Sequence, residues 1–106
     1  MFEPKSLIAG KELAAPKDDF NIAERVEQFR VSRQAVYIPA GLRWNYILFS
    51  EVRGTEYSHR NITAGKCVAV TEQRPVLILK TDDQSFPLAF EKPESMEKLL
   101  SAISGN

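Results

Sequence analysis

The sequence predicts a mainly β protein of about seven short strands that ends in one amphipathic helix. Apolar and polar residues alternate in short runs between Val26 and Phe90, which is typical of half-buried strands. After Pro93 the apolar residues recur every three or four positions, which is the period of a helix. The chain has 106 residues, the length of one domain with a single core.

The N-terminal segment, which we call the lead, is predicted to be irregular. Pro16 excludes a long helix through this segment, so we expect one short helical turn near 19–25, with Asp19 as its cap. We therefore divide the chain into a lead, residues 1–24, and a folded domain, residues 25–106. The lead is expected to pack on the domain.

A hairpin is predicted directly after the lead. The stretch "EQFRVSRQAVYIP" places Phe29 and Val31 on one face, has the polar "SRQ" at its turn, and ends at Pro39. The next stretch, "RWNYILFSEVRGTEYSHR", carries apolar residues on both faces. Gly54 interrupts this run, which predicts a bend or a bulge.

Three further strands are expected before the helix. "NITAG" predicts a turn, and the polar "EQRP" separates two apolar strands over 66–72 and 75–81. "DDQ" at 82–84 predicts a tight turn, and "SFPLAFE" predicts the last strand. Because Pro87 cannot donate a hydrogen bond to a sheet ladder, we expect this strand at an edge or at a bulge.

The terminal helix has the strongest local signals in the chain. Pro93 suits the first helical position, and Gly105 suits the position at which the helix ends. Its apolar residues form one stripe at helical spacing: Met96, Leu99, Leu100 and Ile103. We expect this stripe to cover apolar area that the strands leave open.

Two stretches of the chain resemble segments of a known fold. "YILFSEVRGTEY" is similar to a kinked strand that recurs in bacterial PH-like domains, and "SFPLAFEKPESMEKLLSAI" is similar to their last strand and helix. The resemblance to this pleckstrin-homology superfold covers about residues 27–104. It implies a bent antiparallel barrel of about seven strands, capped at one end by the helix, with residues 25–106 as the barrel domain.

Phosphoinositide binding is not expected from this resemblance. Eukaryotic lipid-binding PH domains share a basic motif, a lysine followed by spaced arginines, around the first hairpin loop. The corresponding stretch here, "FRVSRQAVYIP", offers Arg30 and Arg33 and no lysine. The terminal helix also lacks the tryptophan that is typical of eukaryotic PH domains.

Charge is distributed unevenly along the chain. The formal net charge is zero, yet residues 25–74 carry eight basic and four acidic residues, and every arginine lies in this segment. Two interpretations stay open: an anion-binding surface, or solvated arginines on the outer faces of strands. With zero net charge and a pI near 6.6, long-range attraction to nucleic acid is weak, so nucleic acid is not an expected partner.

Catalytic chemistry is not expected. His59 and Cys67 are the single histidine and cysteine, and they flank the predicted "NITAG" turn, so a Cys–His pair is one interpretation. Cys67 in "KCVAVT" is more typical of a small residue packed inside a strand. One cysteine forms no internal disulfide, and we find neither a phosphate-binding glycine loop nor a metal-ligand pattern. We therefore expect no enzyme, no cofactor and no metal.

The sequence favours a non-enzymatic, PH-like binding or scaffolding module for a protein or peptide, since open sheet edges accept extended peptides. The same edges permit a homo-oligomer. The alternative is a small barrel that binds a compact anionic ligand or single-stranded nucleic acid. Its candidate binding residues are Arg30, Arg33, Arg43, Trp44 and Tyr46. We expect Trp44 to pack at the barrel rim or under the lead.

Location is predicted from hydropathy. The longest strongly apolar run, Val76 to Leu79, is far shorter than the roughly 20 residues of a membrane span. The first residues scatter charges and prolines, which is not the pattern of a secretory signal. We therefore expect no transmembrane segment and a cytoplasmic protein.

Overall fold

The computed structural model describes residues 3–8, 10–63 and 71–105, and of these 59–63 and 71–74 by their backbone alone. The described residues form eight strands, one 3-10 turn and two α-helices, which confirms a mainly β class with a C-terminal helix. In chain order these are β1 Lys5–Ser6, α1 Pro16–Ile22, β2 Glu24–Val26, β3 Phe29–Val31, β4 Ala35–Ala40, β5 Arg43–Leu48, the 3-10 turn Phe49–Glu51, β6 Gly54–Thr63, β7 Thr71–Lys80, β8 Ser85–Ala89 and α2 Pro93–Ser104.

The strands form two sheets. The first has the order β1-β5-β4-β3-β2, with β1 parallel to β5 and the other pairs antiparallel. The second has the antiparallel order β6-β7-β8. Over the described ranges the strands do not close into a barrel, and two of the eight, β1 and β2, include residues that the sequence assigned to the lead.

One apolar core joins both sheets and α2. Residues of β3, β4 and β5 that lie side by side in the register, Val31, Val36 and Ile47, form its first layer. Leu77 and Leu88, opposite each other on β7 and β8, lie in the same core. Buried and half-buried residues alternate along β3 and along the part of β7 that pairs with β8, as the sequence predicts for half-buried strands. Strand β4 is buried on both faces, since Ala35, Val36 and Tyr37 are all buried.

The terminal helix covers this core. Met96 and Leu99 are buried, and Leu100 and Ile103 pack partly buried against the same cluster. The helix begins at Pro93 and is followed by Gly105, whose N–H donates to the Ser101 carbonyl at 2.9 Å. The predicted helix, its bounds and its apolar stripe are confirmed.

The lead packs on the opposite face of the first sheet. Leu13, Phe20 and Ala23 contact a second apolar cluster whose buried members are Ala35, Tyr37 and Tyr46. The helix in the lead begins at Pro16, earlier than predicted, because proline is well tolerated at a first helical position. Asp19 therefore lies inside the helix and is buried, and its prediction as a cap is wrong.

Three predicted boundaries differ from the structure. The break predicted at Gly54 occurs earlier, as the 3-10 turn, and Gly54 is the first residue of β6. Residues 61–63 of the "NITAG" turn belong to β6. The segment "EQRP" does not separate two strands, since β7 runs through it.

The N-terminal half of β7, which contains "EQRP", pairs with β6 alone among the described strands. A ribbon of two strands is not required to alternate apolar and polar residues. Residues 64–70 lie outside the described ranges.

The end of the strand region follows the sequence. The turn predicted at "DDQ" is closed by the Thr81 N–H, which donates to the Gln84 carbonyl at 2.9 Å. Strand β8 lies at the edge of the second sheet, as Pro87 predicts.

The turn between β2 and β3 links the first sheet to the start of α2. Glu27, at φ 54°, accepts hydrogen bonds from the backbone N–H groups of Glu91 at 2.7 Å and of Lys92 at 3.0 Å. The Gln28 amide donates to the Ala89 carbonyl at 2.9 Å. Lys92, the residue before the helix, provides no side-chain cap of its own. Glu27 thus places a carboxylate at the helix N-terminus, where the helix dipole favours negative charge.

We expect Glu27→Gln to lower the free energy of unfolding by about 1 kcal/mol near neutral pH, the usual loss when a helix cap is removed. Burial acts to raise the pKa of Glu27, but hydrogen bonds from Glu91, Ser95 and Lys92 and the Lys92 charge outweigh it and lower that pKa. A lowered pKa means that the contribution is present above the unfolded-state pKa, about 4.3, and is lost as the pH falls through the folded-state pKa. Urea unfolding along a pH series measures it.

The exposed residue Glu12 gives the matched control, Glu12→Gln. The stability difference between wild type and Glu27→Gln should shrink as the pH falls through the folded-state pKa of Glu27. A difference of the same size at low pH would contradict a role for the charged carboxylate.

Candidate functional site

Three of the five candidate binding residues, Arg30, Trp44 and Tyr46, lie on one face of the first sheet. Arg30, Tyr37 and Tyr46 lie side by side in the register of β3, β4 and β5. Phe20 of α1 packs over this row, with ring-centre distances of 5.2 Å to Tyr37 and 5.0 Å to Trp44. Trp44 is half-buried under the lead, one of the two places expected from the sequence.

Tyr46 belongs to the interior of the protein. Its side chain is 1% exposed, and its ring packs 5.5 Å from that of Tyr37. Its hydroxyl accepts a hydrogen bond from the Leu13 N–H at 2.9 Å. Tyr46 therefore anchors the lead and offers no ring face to a ligand on the surface.

Arg30 and Trp44 line one small cavity, which we call the Arg25–Arg30 cavity. Its volume is about 250 Å³, and its other lining residues are Arg25, Gln28, Phe29 and Pro39. Arg25 and Arg30 are directly opposite on β2 and β3. The guanidinium carbon of Arg30 lies 4.6 Å from the centre of the Phe20 ring, a cation–π contact.

Arg33 and Arg43 lie apart from this cavity. Arg33 is exposed in the turn between β3 and β4 and lines a separate cavity of about 740 Å³, together with Ile22 and Glu24. Arg43 is the first residue of β5, opposite Ala40, and is exposed. The structure therefore brings together two of the five predicted residues, Arg30 and Trp44.

A buried carboxylate fixes α1 to the first sheet. Asp19 is 7% exposed and accepts hydrogen bonds from the Ser32 hydroxyl and the Tyr37 hydroxyl, each at 2.6 Å, and from the Gln34 amide at 3.3 Å. Burial, followed by the hydrogen bond and charge of Asp19, raises the pKa of Tyr37 far above its usual value. Tyr37 thus stays protonated and continues to donate to the carboxylate. No local pattern in the sequence predicts this cluster, because its members come from α1, from the turn between β3 and β4, and from β4.

The outer strand of the second sheet has an open edge. Strand β6 pairs with β7 and with no other strand in the described part of the chain. Tyr57 of β6, Leu77 of β7 and Leu88 of β8 lie opposite one another in the register. Leu77 and Leu88 are buried, whereas Tyr57 is 49% exposed. This row of the core thus continues to the edge of the sheet.

Cys67 and the side chain of His59 lie outside the described residues, so the proposed proximity of the pair stays a prediction. Where side chains are described, no three His, Cys, Asp or Glu residues group as metal ligands. Neither α1 nor α2, the helices of the described ranges, is long and apolar enough to cross a bilayer.

Comparisons with known proteins found no match for this chain. No protein-family model matches the chain, no curated protein matches it, and no solved structure matches it. The open edge of β6 and the Arg25–Arg30 cavity are therefore the two features that bear on function.

Proposed function

We propose that the protein is a non-enzymatic, cytoplasmic binding module that takes an extended segment of a protein partner as an added strand on β6. The observation that carries the proposal is the open edge of β6, at which a row of core side chains ends in a half-exposed tyrosine. An added strand would pair with backbone N–H and C=O groups at this edge, which is a recurrent mode of peptide recognition.

The row of core residues defines the segment that would fit. A residue of the added strand opposite Tyr57 would lie in the same cross-strand row as Leu77 and Leu88. An apolar side chain is therefore favoured at that position. The other face of β6 carries Glu56, whose carboxylate lies 3.1 Å from the Lys80 ammonium in an exposed ion pair. Polar side chains are favoured on that face. The proposed partner is therefore an extended peptide with alternating apolar and polar residues.

The bacterial PH-like fold is part of this proposal. A succession of antiparallel strands, followed by one C-terminal helix that packs on the core, supports it. The two separate sheets of the described residues leave strand edges accessible, which a closed barrel would remove.

A peptide-display selection tests the proposal. The full chain is immobilised and random peptides of about ten residues are selected, a length that matches long strands. Enriched peptides should alternate apolar and polar residues, and Tyr57→Lys should weaken their binding at least about tenfold, since a charge then faces the apolar positions. Tyr57→Phe is the matched control and should bind as the wild type does. Thermal melts verify that both variants fold.

Hydrogen exchange on a selected peptide complex locates the site. The backbone amides of Gly54–Ser58 should exchange more slowly with the peptide bound, because strand addition gives edge amides new acceptors. Protection confined to α2 or to the first sheet would contradict the proposal, as would enriched peptides without alternation. A homodimer that Tyr57→Lys dissociates in light scattering would assign this edge to a second copy of the chain and would also overturn it.

A compact anionic ligand is the second candidate function. The observation that favours it is the shared cavity of Arg30 and Trp44. Support for single-stranded nucleic acid is weaker, since Tyr46 is buried and Arg33 and Arg43 lie outside that cavity.

A further inference from the structure

We propose that the Arg25–Arg30 cavity binds a small oxyanion attached to a planar ring, such as an aryl phosphate or an aryl carboxylate. This inference rests on the second candidate function and names its ligand class, and the site is separate from the edge of β6. Three features of the cavity carry the inference: a pair of opposed like charges, a guanidinium over an aromatic ring, and an apolar wall.

The first feature is the opposition of two arginines. Arg25 and Arg30 are cross-strand partners, so their side chains leave the same face of the sheet side by side. Like charges in such positions are destabilising. In the part of the chain with described side chains, neither arginine forms an ion pair; Arg25 donates from Nε to the Glu27 carbonyl at 3.2 Å. An oxyanion between the two guanidinium groups would remove their repulsion.

The second feature is the orientation of Arg30. Its guanidinium carbon lies over the Phe20 ring, which is itself packed against Tyr37 and Trp44. A guanidinium fixed in this way is prepared to donate two parallel hydrogen bonds to a carboxylate or a phosphate.

The third feature is the wall formed by Trp44 and Pro39, which lie opposite each other on β5 and β4. These apolar surfaces suit a flat ring. A dry cavity of about 150 Å³ holds one benzene molecule. The volume here, about 250 Å³, therefore admits one ring with one oxyanion. A larger multiply charged group would leave most of its charges outside.

The single tryptophan of the chain provides the measurement. Trp44 lines the cavity, so its fluorescence reports occupancy directly. The full chain is titrated with phenyl phosphate, with inorganic phosphate and with benzyl alcohol. We expect a saturable change with phenyl phosphate and at least about tenfold weaker binding of the other two probes, because each lacks one half of the recognised group.

Arg25→Gln tests the charge pair, and Arg43→Gln is the matched control on an exposed arginine of the same sheet. Arg25→Gln should weaken phenyl phosphate at least about tenfold, the value of a charge-assisted hydrogen bond. Without ligand, it should melt at the same temperature as the wild type or higher, since the repulsion is removed. Arg43→Gln should bind phenyl phosphate as the wild type does.

The proposal would be overturned by the absence of a saturable change with phenyl phosphate, or by equal binding of phenyl phosphate by wild type and Arg25→Gln. Equal affinity for inorganic phosphate would also overturn it, because the ring would then contribute nothing. The site is distinguishable from the edge of β6. Tyr57→Lys should bind phenyl phosphate normally, and Arg25→Gln should bind selected peptides normally.

Discussion

Truncation after Lys92 is expected to leave a chain without a cooperative thermal transition. The truncation removes α2, in which Met96 and Leu99 are buried and Leu100 and Ile103 are partly buried in the main core. A fully buried side chain of this kind contributes about 1.5–3 kcal/mol, and the loss of several approaches the whole stability of a small domain, about 5–15 kcal/mol. Near-UV circular dichroism and dye binding should show a collapsed chain with exposed apolar surface.

A single substitution tests the same contact in the intact chain. Leu99→Ala should lower the free energy of unfolding by about 2–5 kcal/mol, because it leaves a cavity at a fully buried position. Ser101→Ala, at an exposed position of the same helix, should change it by less than about 0.5 kcal/mol. A sharp, cooperative melt of the truncated chain would show that α2 is dispensable for the core.

The second large effect is expected for Asp19→Ala, which should lower the free energy of unfolding by about 3 kcal/mol. The substitution leaves the buried hydroxyls of Ser32 and Tyr37 without their carboxylate acceptor, and hydrogen bonds to charged groups contribute about 1.5–3 kcal/mol each. Denaturant unfolding measures the change. A red shift of the emission from Trp44, which packs against Phe20 of α1, should accompany loosening of the lead.

Asp18→Ala is the matched control for Asp19→Ala. Asp18 precedes Asp19 in the same helix, and its side chain is exposed, so its loss should cost less than about 0.5 kcal/mol. Equal effects of the two substitutions would mean that the buried hydrogen bonds contribute nothing beyond the charge near the helix start.

Elements with a strong local cause could be predicted from the sequence. Pro93 and the apolar stripe specify α2, and Pro87 specifies an edge strand, because each acts through its own backbone or its own period. The hairpin of β3 and β4 follows from alternation around "SRQ". In these segments, the structure that the local sequence favours is also the one that the folded chain adopts.

Features that depend on distant partners could not be predicted. Asp19 has the signature of a helix cap, yet tertiary hydrogen bonds to Ser32 and Tyr37 determine its place. The opposition of Arg25 and Arg30 requires a hairpin whose turn contains Glu27 in a left-handed conformation. Glycine and asparagine are the residues typical of such a turn, and glutamate is not. The hairpin of β2 and β3, and with it the place of Arg25 in the cavity, therefore could not be predicted.

The attachment of the lead to β5 has a consequence for the order of folding during synthesis. The lead contacts the chain through pairs that are far apart in sequence, such as Ser6 beside Tyr46. At a synthesis rate of about 5–20 residues per second, the lead leaves the ribosome seconds before the strand that receives it. Phe20 must therefore remain in water during that interval, while later hairpins close within microseconds. The lead thus reaches its final place only after β5 has been synthesised.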